Sequence, residues 1–277
     1  MTSEPTTTVG PSPLAPGQPA PNDHDTMAGV TSPTTRRPPA RRALVVDDEE
    51  PLARLVAGYL ERDGFEVHVA FDGQAALELA RTVDPDVVVL DLGLPGIDGI
   101  DVCRELRTFS DCYVVMLTAR ADEVDTLIGL AVGADDYMAK PFGPRELTAR
   151  IGVMLRRPRH TVALDGPHRA TGERAPVAWE FGQLTIDVVG REVHLDGAPV
   201  ALTRTEFDVL AALARRPHAA FSRRALIDAV WGENWVGDEH LVDVHVLHVR
   251  QKLGDTPETQ RFVRTVRGIG YRMGSGG

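Results

Sequence analysis

Two cysteines, Cys103 and Cys112, are all that 277 residues contain. No His or Cys stands near them at zinc-ligand spacing. That excludes a disulfide framework and a structural zinc, and it fits a reducing cytosol. No apolar run approaches the roughly 18 residues a membrane span needs, which argues against an integral membrane protein. No apolar stretch follows the first charges, so a secretory signal is not expected. Lysine is the last scarcity: 28 of 30 basic residues are Arg, and only Lys140 and Lys252 are Lys.

What is present points to a folded protein of about two domains, at roughly 100–200 residues each. The composition is 43% hydrophobic and 25% charged, close to the globular average. The net charge of −10 is unevenly spread. Residues 1–40 sum to −1, 41–157 to −9, 158–176 to +1 and 177–277 to −1. Within the last stretch, 244–277 holds six basic residues against Asp255 and Glu258. Such different halves imply two domains with different partners.

The first forty residues contain nine prolines, eight threonines and no Phe, Trp or Tyr. They cannot bury enough apolar surface to offset their ordering entropy, so 1–40 reads as a disordered tail. From Arg42 onward, strand-like runs at 43–46, 65–70, 86–90, 112–117 and 136–139 alternate with helical patterns. The helices are predicted at 51–62, 73–82, 98–108, 121–132 and 144–156. Five strands alternating with five helices predict a doubly wound α/β domain with a five-stranded parallel sheet over 41–157. Residues 158–176, punctuated by Pro158, Gly166, Pro167, Gly172 and Pro176, read as a linker. Over 177–277, short strands around 179–201 precede helical patterns at 204–215, 223–230 and 239–253. Two last strands, 262–267 and 269–273, turn at Gly268, so this domain is α+β.

In open α/β sheets the ligand site lies outside the carboxyl ends of the strands. The first strand ends there in Asp47-Asp48-Glu49 and the third in Asp91. The fourth ends in Thr118-Ala119, and the fifth delivers Lys140-Pro141-Phe142. A lone Asp at a strand end is more often a helix cap or turn former. Three converging carboxylates, however, raise one another's pKa unless a cation neutralises them. An all-oxygen ligand set suits Mg²⁺. The hydroxyl and the ammonium are donors for a phosphoryl oxygen. Together these groups make a phosphoryl-accepting site.

The residues resemble the receiver domain of two-component response regulators. The matching segments are Leu44-Val45-Val46-Asp47-Asp48-Glu49, Leu90-Asp91-Leu92-Gly93-Leu94-Pro95-Gly96, Met116-Leu117-Thr118-Ala119 and Ala134 through Phe142. The resemblance implies Asp91 as phosphoacceptor, with Asp47, Asp48, Asp91 and the backbone carbonyl of Gly93 holding Mg²⁺. Thr118 and Tyr137 would be the switch pair, and Lys140 would contact the phosphoryl group. It also implies a dimer face containing Asp136, Glu146 and Arg150, with Thr126 standing where a basic partner of Glu146 is common. Cys103 and Cys112 read as inert packing residues.

In the last domain, Val242, Val246, Val249 and Leu253 share one face of the 239–253 helix. His240, Leu247, His248, Arg250 and Gln251 occupy the opposite face and flanks. A helix so arranged, preceded by another, is what a helix-turn-helix offers a major groove. The hairpin through Arg264-Thr265-Val266-Arg267-Gly268 is placed to reach the adjacent backbone or minor groove. The segment resembles the winged-helix effector of the OmpR/PhoB class. It matches at Leu202-Thr203, Glu206-Phe207, Val230-Trp231-Gly232, Val242-Asp243-Val244-His245-Val246, Arg250 and Thr265 through Tyr271. It departs at His240, Leu247 and His248, where the family usually or often has cationic residues. The expected DNA-contacting set is His240, Leu247, His248, Arg250, Arg264, Thr265 and Arg267.

The expectation is a cytoplasmic, phosphorylation-controlled transcription factor, not an enzyme. Its partners would be a sensor histidine kinase, promoter DNA, a second copy and RNA polymerase, with no membrane. A haloacid-dehalogenase-type phosphatase usually needs a second Asp two residues after the nucleophile, and position 93 is Gly. A constitutive DNA-binding protein would have no need of the intact Asp47, Asp48, Asp91, Thr118 and Lys140 set.

Overall fold

The structure is a computed structural model that describes residues 40–119, 132–155 and 178–277, apart from positions 234, 236 and 257. Of the predicted tail over 1–40 only Ala40 is described, and of the predicted helix over 121–132 only Val132; Thr126 and the predicted linker lie outside the described residues. Among those described, no helix is long and apolar enough to cross a membrane.

Five parallel strands form the first sheet: β1 (Arg42–Val46), β2 (Glu66–Ala70), β3 (Val87–Asp91), β4 (Tyr113–Thr118) and β5 (Asp136–Ala139). Their order is β2-β1-β3-β4-β5. Among the described residues four helices pack on it: α1 (Glu50–Arg62), α2 (Gly73–Val83), α3 (Gly99–Phe109) and α4 (Pro144–Met154). Successive strand residues point to opposite faces, and the two cores follow that alternation. Leu44, Val46, Val88, Leu90, Val114 and Met116 pack with Ala76, Leu77, Val102 and Leu106 of α2 and α3. Ala43, Val45, Val87, Val89, Val115 and Leu117 pack with Ala53, Val56, Leu60, Leu147 and Ile151 of α1 and α4. All residues of β3 and β4 are buried, which is why these strands read as apolar runs without alternation.

Local chemistry starts the helices. The side chains of Asp72 and Asp98 accept from the backbone N–H of Ala75 and Asp101, capping α2 and α3. Pro residues open α1 and α4, where a missing N–H costs nothing. Gly99, the first residue of α3, lies so close to β3 that a Cβ there would stand 2.2 Å from the carbonyl oxygen of Asp91. Only glycine lets α3 sit against the strand end that carries the site.

The second part begins with a four-stranded antiparallel sheet, β6 (Ala178–Phe181), β7 (Leu184–Asp187), β8 (Glu192–Leu195) and β9 (Ala198–Pro199). Three helices follow: α5 (Arg204–Arg215), α6 (Arg223–Val230) and α7 (Leu241–Lys252). Thr203 and Glu206 close a reciprocal capping box on α5. The strands β11 (Val263–Val266) and β12 (Gly270–Met273) make the expected terminal hairpin. A short strand unforeseen in the sequence, β10 (Phe221–Ser222), adds to it in the order β10-β12-β11. Cys103 and Cys112 are both fully buried. Burial pushes the Cys103 thiol up to about 12, as suits an unreactive packing residue.

Candidate functional site

The sheet order places β1 and β3 side by side, with chain connections leaving in opposite directions, so their carboxyl ends open a crevice. Asp47 follows β1 and is 1% exposed; Asp91 ends β3 and is 5% exposed. Asp48 is exposed beside them. One carboxylate oxygen from each of Asp47, Asp48 and Asp91 lies within 4.8 Å of the others.

Lys140, directly after β5, reaches across this cluster. Its Nζ lies 2.8 Å from Asp47 Oδ2, 2.9 Å from Asp91 Oδ1 and 3.5 Å from Glu49 Oε1. The backbone N–H of Gly93 donates to Asp91 Oδ2 at 2.9 Å, and that of Glu49 to Asp47 Oδ1 at 2.9 Å. Burial raises the pKa of Asp91 despite the nearby Lys140, and the charge of Asp47 pushes the same way. Burial alone would lower the Lys140 ammonium, but its bonds to Asp47 and Asp91 hold it above the usual lysine range. Three carboxylates against one ammonium leave an electronegative crevice with hard oxygen donors. That donor set fits a small divalent cation such as Mg²⁺.

Thr118 ends β4, 4% exposed. In the parallel register Met116 pairs with Tyr137 and Thr118 with Ala139. Paired parallel residues share a face, so Tyr137 and Thr118 project on the same side of the sheet, two positions apart. The sequence-predicted residues Asp47, Asp48, Asp91, Thr118 and Lys140 are thus gathered at one end of the sheet.

The expected self-association residues lie elsewhere on β5 and α4. Arg150 contacts Asp136 at 3.2 Å and Glu146 at 2.8 Å. Asp136 is fully buried, and the indole Nε1 of Trp235 donates to its Oδ2 at 3.2 Å.

For nucleic acid, the candidates are α7 and the β11–β12 hairpin. His240 is exposed at the start of α7, with Nδ1 3.0 Å from Asp243 Oδ2, a bond that raises its pKa. Leu247 is 46% exposed. Arg264, Thr265 and Arg267 are exposed on the hairpin. Two expected positions are corrected. Arg250 does not stand out from α7: its Nε and Nη2 donate to the Val263 carbonyl at 3.1 and 2.9 Å. Nη2 also donates to Thr265 Oγ1 at 2.7 Å, because β11 passes over that end of the helix. His248 is buried too, with Nδ1 3.6 Å from Glu206 Oε1, and burial lowers its pKa.

Sequence reasoning missed three groups. Asp243 accepts from Arg223 Nε at 2.8 Å and from the Tyr271 hydroxyl at 2.6 Å, tying α6, α7 and the hairpin together. Asp255 accepts from the N–H groups of Arg261, Phe262 and Val263. Burial opposes its charge, yet those bonds hold its pKa below the usual carboxylate range. His245 Nε2 lies 3.3 Å from the carbonyl oxygen of Asp135 in the first domain. Its identity as a matched residue was visible; its burial against another domain was not.

Comparisons with known proteins agree with this geometry. Residues 43–152 match the response regulator receiver domain, and 197–273 match the C-terminal domain of transcriptional regulatory proteins. The DNA-binding response regulator MtrA of Mycolicibacterium smegmatis is 44% identical over 235 residues, covering 84% of this chain and 97% of that protein. The transcriptional regulatory protein CseB of Streptomyces avermitilis is 42% identical over 234 residues, covering 83% and 96%. Among solved structures, a mutant of RitR aligns with a TM-score of 0.64 at 26% identity. That alignment covers 86% of this chain and 100% of RitR.

Proposed function

Because the chain belongs to the two-component response regulators of the OmpR/PhoB type, we propose that Asp91 accepts a phosphoryl group from a sensor histidine kinase and thereby controls promoter binding. The observation that carries this reading is the placement of Lys140 Nζ between Asp47 and Asp91, 2.8 and 2.9 Å away. In the transfer, an Asp91 carboxylate oxygen forms a bond to phosphorus as the bond to the donor breaks, leaving an acyl phosphate. Asp47, Asp48, Asp91 and the Gly93 carbonyl would hold Mg²⁺, which supplies charge neutralisation for the transferring group. Lys140 then turns its ammonium from the bare carboxylate to a phosphoryl oxygen. Thr118 supplies a hydroxyl to the same group, and Tyr137, on the same sheet face, moves inward behind it.

The output is assigned to 177–277, joined through 158–176 to a receiver at 41–157. The α7 helix and the hairpin bind double-stranded DNA in the cytoplasm, with Arg264 and Arg267 on phosphate or the minor groove. A dimer through Asp136, Glu146 and Arg150 would set two such domains on repeated half-sites, with RNA polymerase as a downstream partner. Incubation with acetyl phosphate and Mg²⁺, followed by intact mass measurement, tests the assignment. Wild type should gain one phosphoryl group and Asp91→Asn none. An equal gain in both would refute it.

A further inference from the structure

A cleft of about 750 Å³ shares no residue with the carboxylate cluster. One wall is the end of α3 and the turn before β4; the other is the start of α5 and the last turn of α7. Its volume lies within the roughly 300–1,000 Å³ of small-molecule pockets, which favour domain boundaries. Phe109, Leu202 and Phe207 give it apolar surface.

Charge in the cleft is uneven. Arg107, Arg191, Arg204 and Lys252 line it, against the carboxylates of Asp111 and Glu206. Asp135 and Asp208, which pair with Arg107 and Arg191 at 2.7 and 2.8 Å, are not in the wall. Arg204 is the decisive group. It is 4% exposed, with Nε and Nη2 bonded to Asp111 at 3.0 and 2.8 Å. Its guanidinium carbon lies 4.9 Å from the centre of the Tyr113 ring. Nη1 is buried and has no hydrogen-bond partner among the described residues. A buried charged donor without a partner is costly, so this wall holds a donor whose need the described residues do not meet. Lys252 is the second donor: its Nζ bonds Glu206 at 2.6 Å, and the side chain is 37% exposed.

We propose that this cleft binds a small organic anion, a carboxylate or phosphate group on an apolar body. The charged end is directed to Arg204 and Lys252, and the body rests on Phe109, Leu202 and Phe207. The guanidinium fork matches the oxygens of either anion. A cationic guest would meet the excess of like charge, and a purely apolar one would leave the Arg204 donor unpaired. The guest touches both domains, since Arg107 and Phe109 belong to the receiver and Arg204 and Lys252 to the C-terminal domain. It therefore favours the arrangement described here over one in which the domains part, a chemical input separate from the proposed phosphorylation.

Titration calorimetry of the full, unphosphorylated chain with phenylphosphonate and with phenylacetate tests this. Neither can donate a phosphoryl group to Asp91, and EDTA keeps metal from the carboxylate cluster. Phenylethanol is the neutral control. Both anions should bind, and the control at least about tenfold more weakly; the tighter anion tells phosphate from carboxylate preference. Ala201→Trp, at an exposed position of the wall, should abolish binding by filling the cleft. Asp111→Asn keeps the shape of its side chain but removes the charge that competes for Arg204. It should tighten both anions about tenfold, a gain that damage to the fold would not produce. Failure of both anions to bind at about 10 mM overturns the proposal, as does a control that binds equally well. Ala201→Trp binding as wild type does, or Asp111→Asn binding no more tightly, places the anions elsewhere and overturns it too.

Discussion

Arg250 and Val263 are joined by a fork: two nitrogens of one guanidinium converge on one backbone carbonyl, at 3.1 and 2.9 Å. The contact fastens the hairpin to the helix that precedes it. Arg250→Ala leaves the Val263 carbonyl and the Thr265 hydroxyl without this donor. The expected loss is about 1–3 kcal/mol of stability, or roughly 4–8 °C in Tm per kcal/mol for a domain of this size. Calorimetry of the full chain measures it. An unchanged Tm combined with relaxed sequence preference would return Arg250 to the base-reading role.

On the proposed DNA-binding reading, sequence reading on α7 would then fall to Leu247, and general attraction to the hairpin. Arg267→Ala should weaken selected and random duplexes equally and lower the salt slope by about one unit. Leu247→Ala should reduce the ratio between selected and random duplex by roughly fivefold, the loss of about 1 kcal/mol of apolar contact. Titrations of the phosphorylated chain across a salt series decide both. A uniform effect of Leu247→Ala would mean that this side chain does not read sequence.

His245 makes the domain contact sensitive to acid. A carbonyl can only accept, so Nε2 carries the proton facing Asp135, and buried Nδ1 has no hydrogen-bond partner among the described residues. Burial lowers the imidazole pKa from 6.5 to about 4. The carboxylates of Asp135 and Glu206 oppose that fall, and the His248 ring, 6.4 Å away, adds to it. The depressed pKa means that the docked state binds fewer protons than an open state in which His245 meets water. Docking is therefore strongest above pH 6.5 and is lost as pH falls toward 4. Between about pH 7.5 and 5.5 the docking constant should drop about tenfold. Hydrogen exchange of 241–252 in the unphosphorylated chain reports it. If His245→Phe retains the full pH dependence, another group is responsible.

Lys140 is the counter-charge of two buried carboxylates, at 2.8 and 2.9 Å. Lys140→Met should cost about 1–3 kcal/mol in chelator, since Asp47 and Asp91 then face each other unneutralised. Added Mg²⁺ should restore more stability to the variant than to wild type. Thermal unfolding in chelator and in Mg²⁺ checks this, and equal gains would speak against a metal between these carboxylates.

Much of this molecule was legible in its sequence, for identifiable reasons. Strand interiors such as Val87–Leu90 are apolar because both faces are covered, and ligand sites of open α/β sheets lie at strand ends, so the candidates Asp47, Asp91, Thr118 and Lys140 could be placed without a structure. The fate of Arg250 could not. Helical periodicity puts it one face away from the core valines, but says nothing about a hairpin thirteen residues later folding over that face. Trp235 and His245 were opaque for a related reason. Their environment is built by Asp136 and Asp135, 99 and 110 residues earlier, and no local pattern records a contact between domains.

The burial of α7 also bears on how such a regulator changes over generations. Leu241, Val242, Val244, His245, Val246, His248, Val249 and Arg250 are all buried, whereas Leu247, Gln251 and Lys252 are exposed. A substitution at most positions of this helix must therefore satisfy a packed neighbour before it can alter DNA preference. On the proposed DNA-binding reading, drift toward new promoters would be channelled into a few solvent-facing sites on α7 and into the hairpin, where Arg264 and Arg267 are exposed. Retargeting this chain would proceed by small, additive steps at those sites, while the rest of the helix holds still.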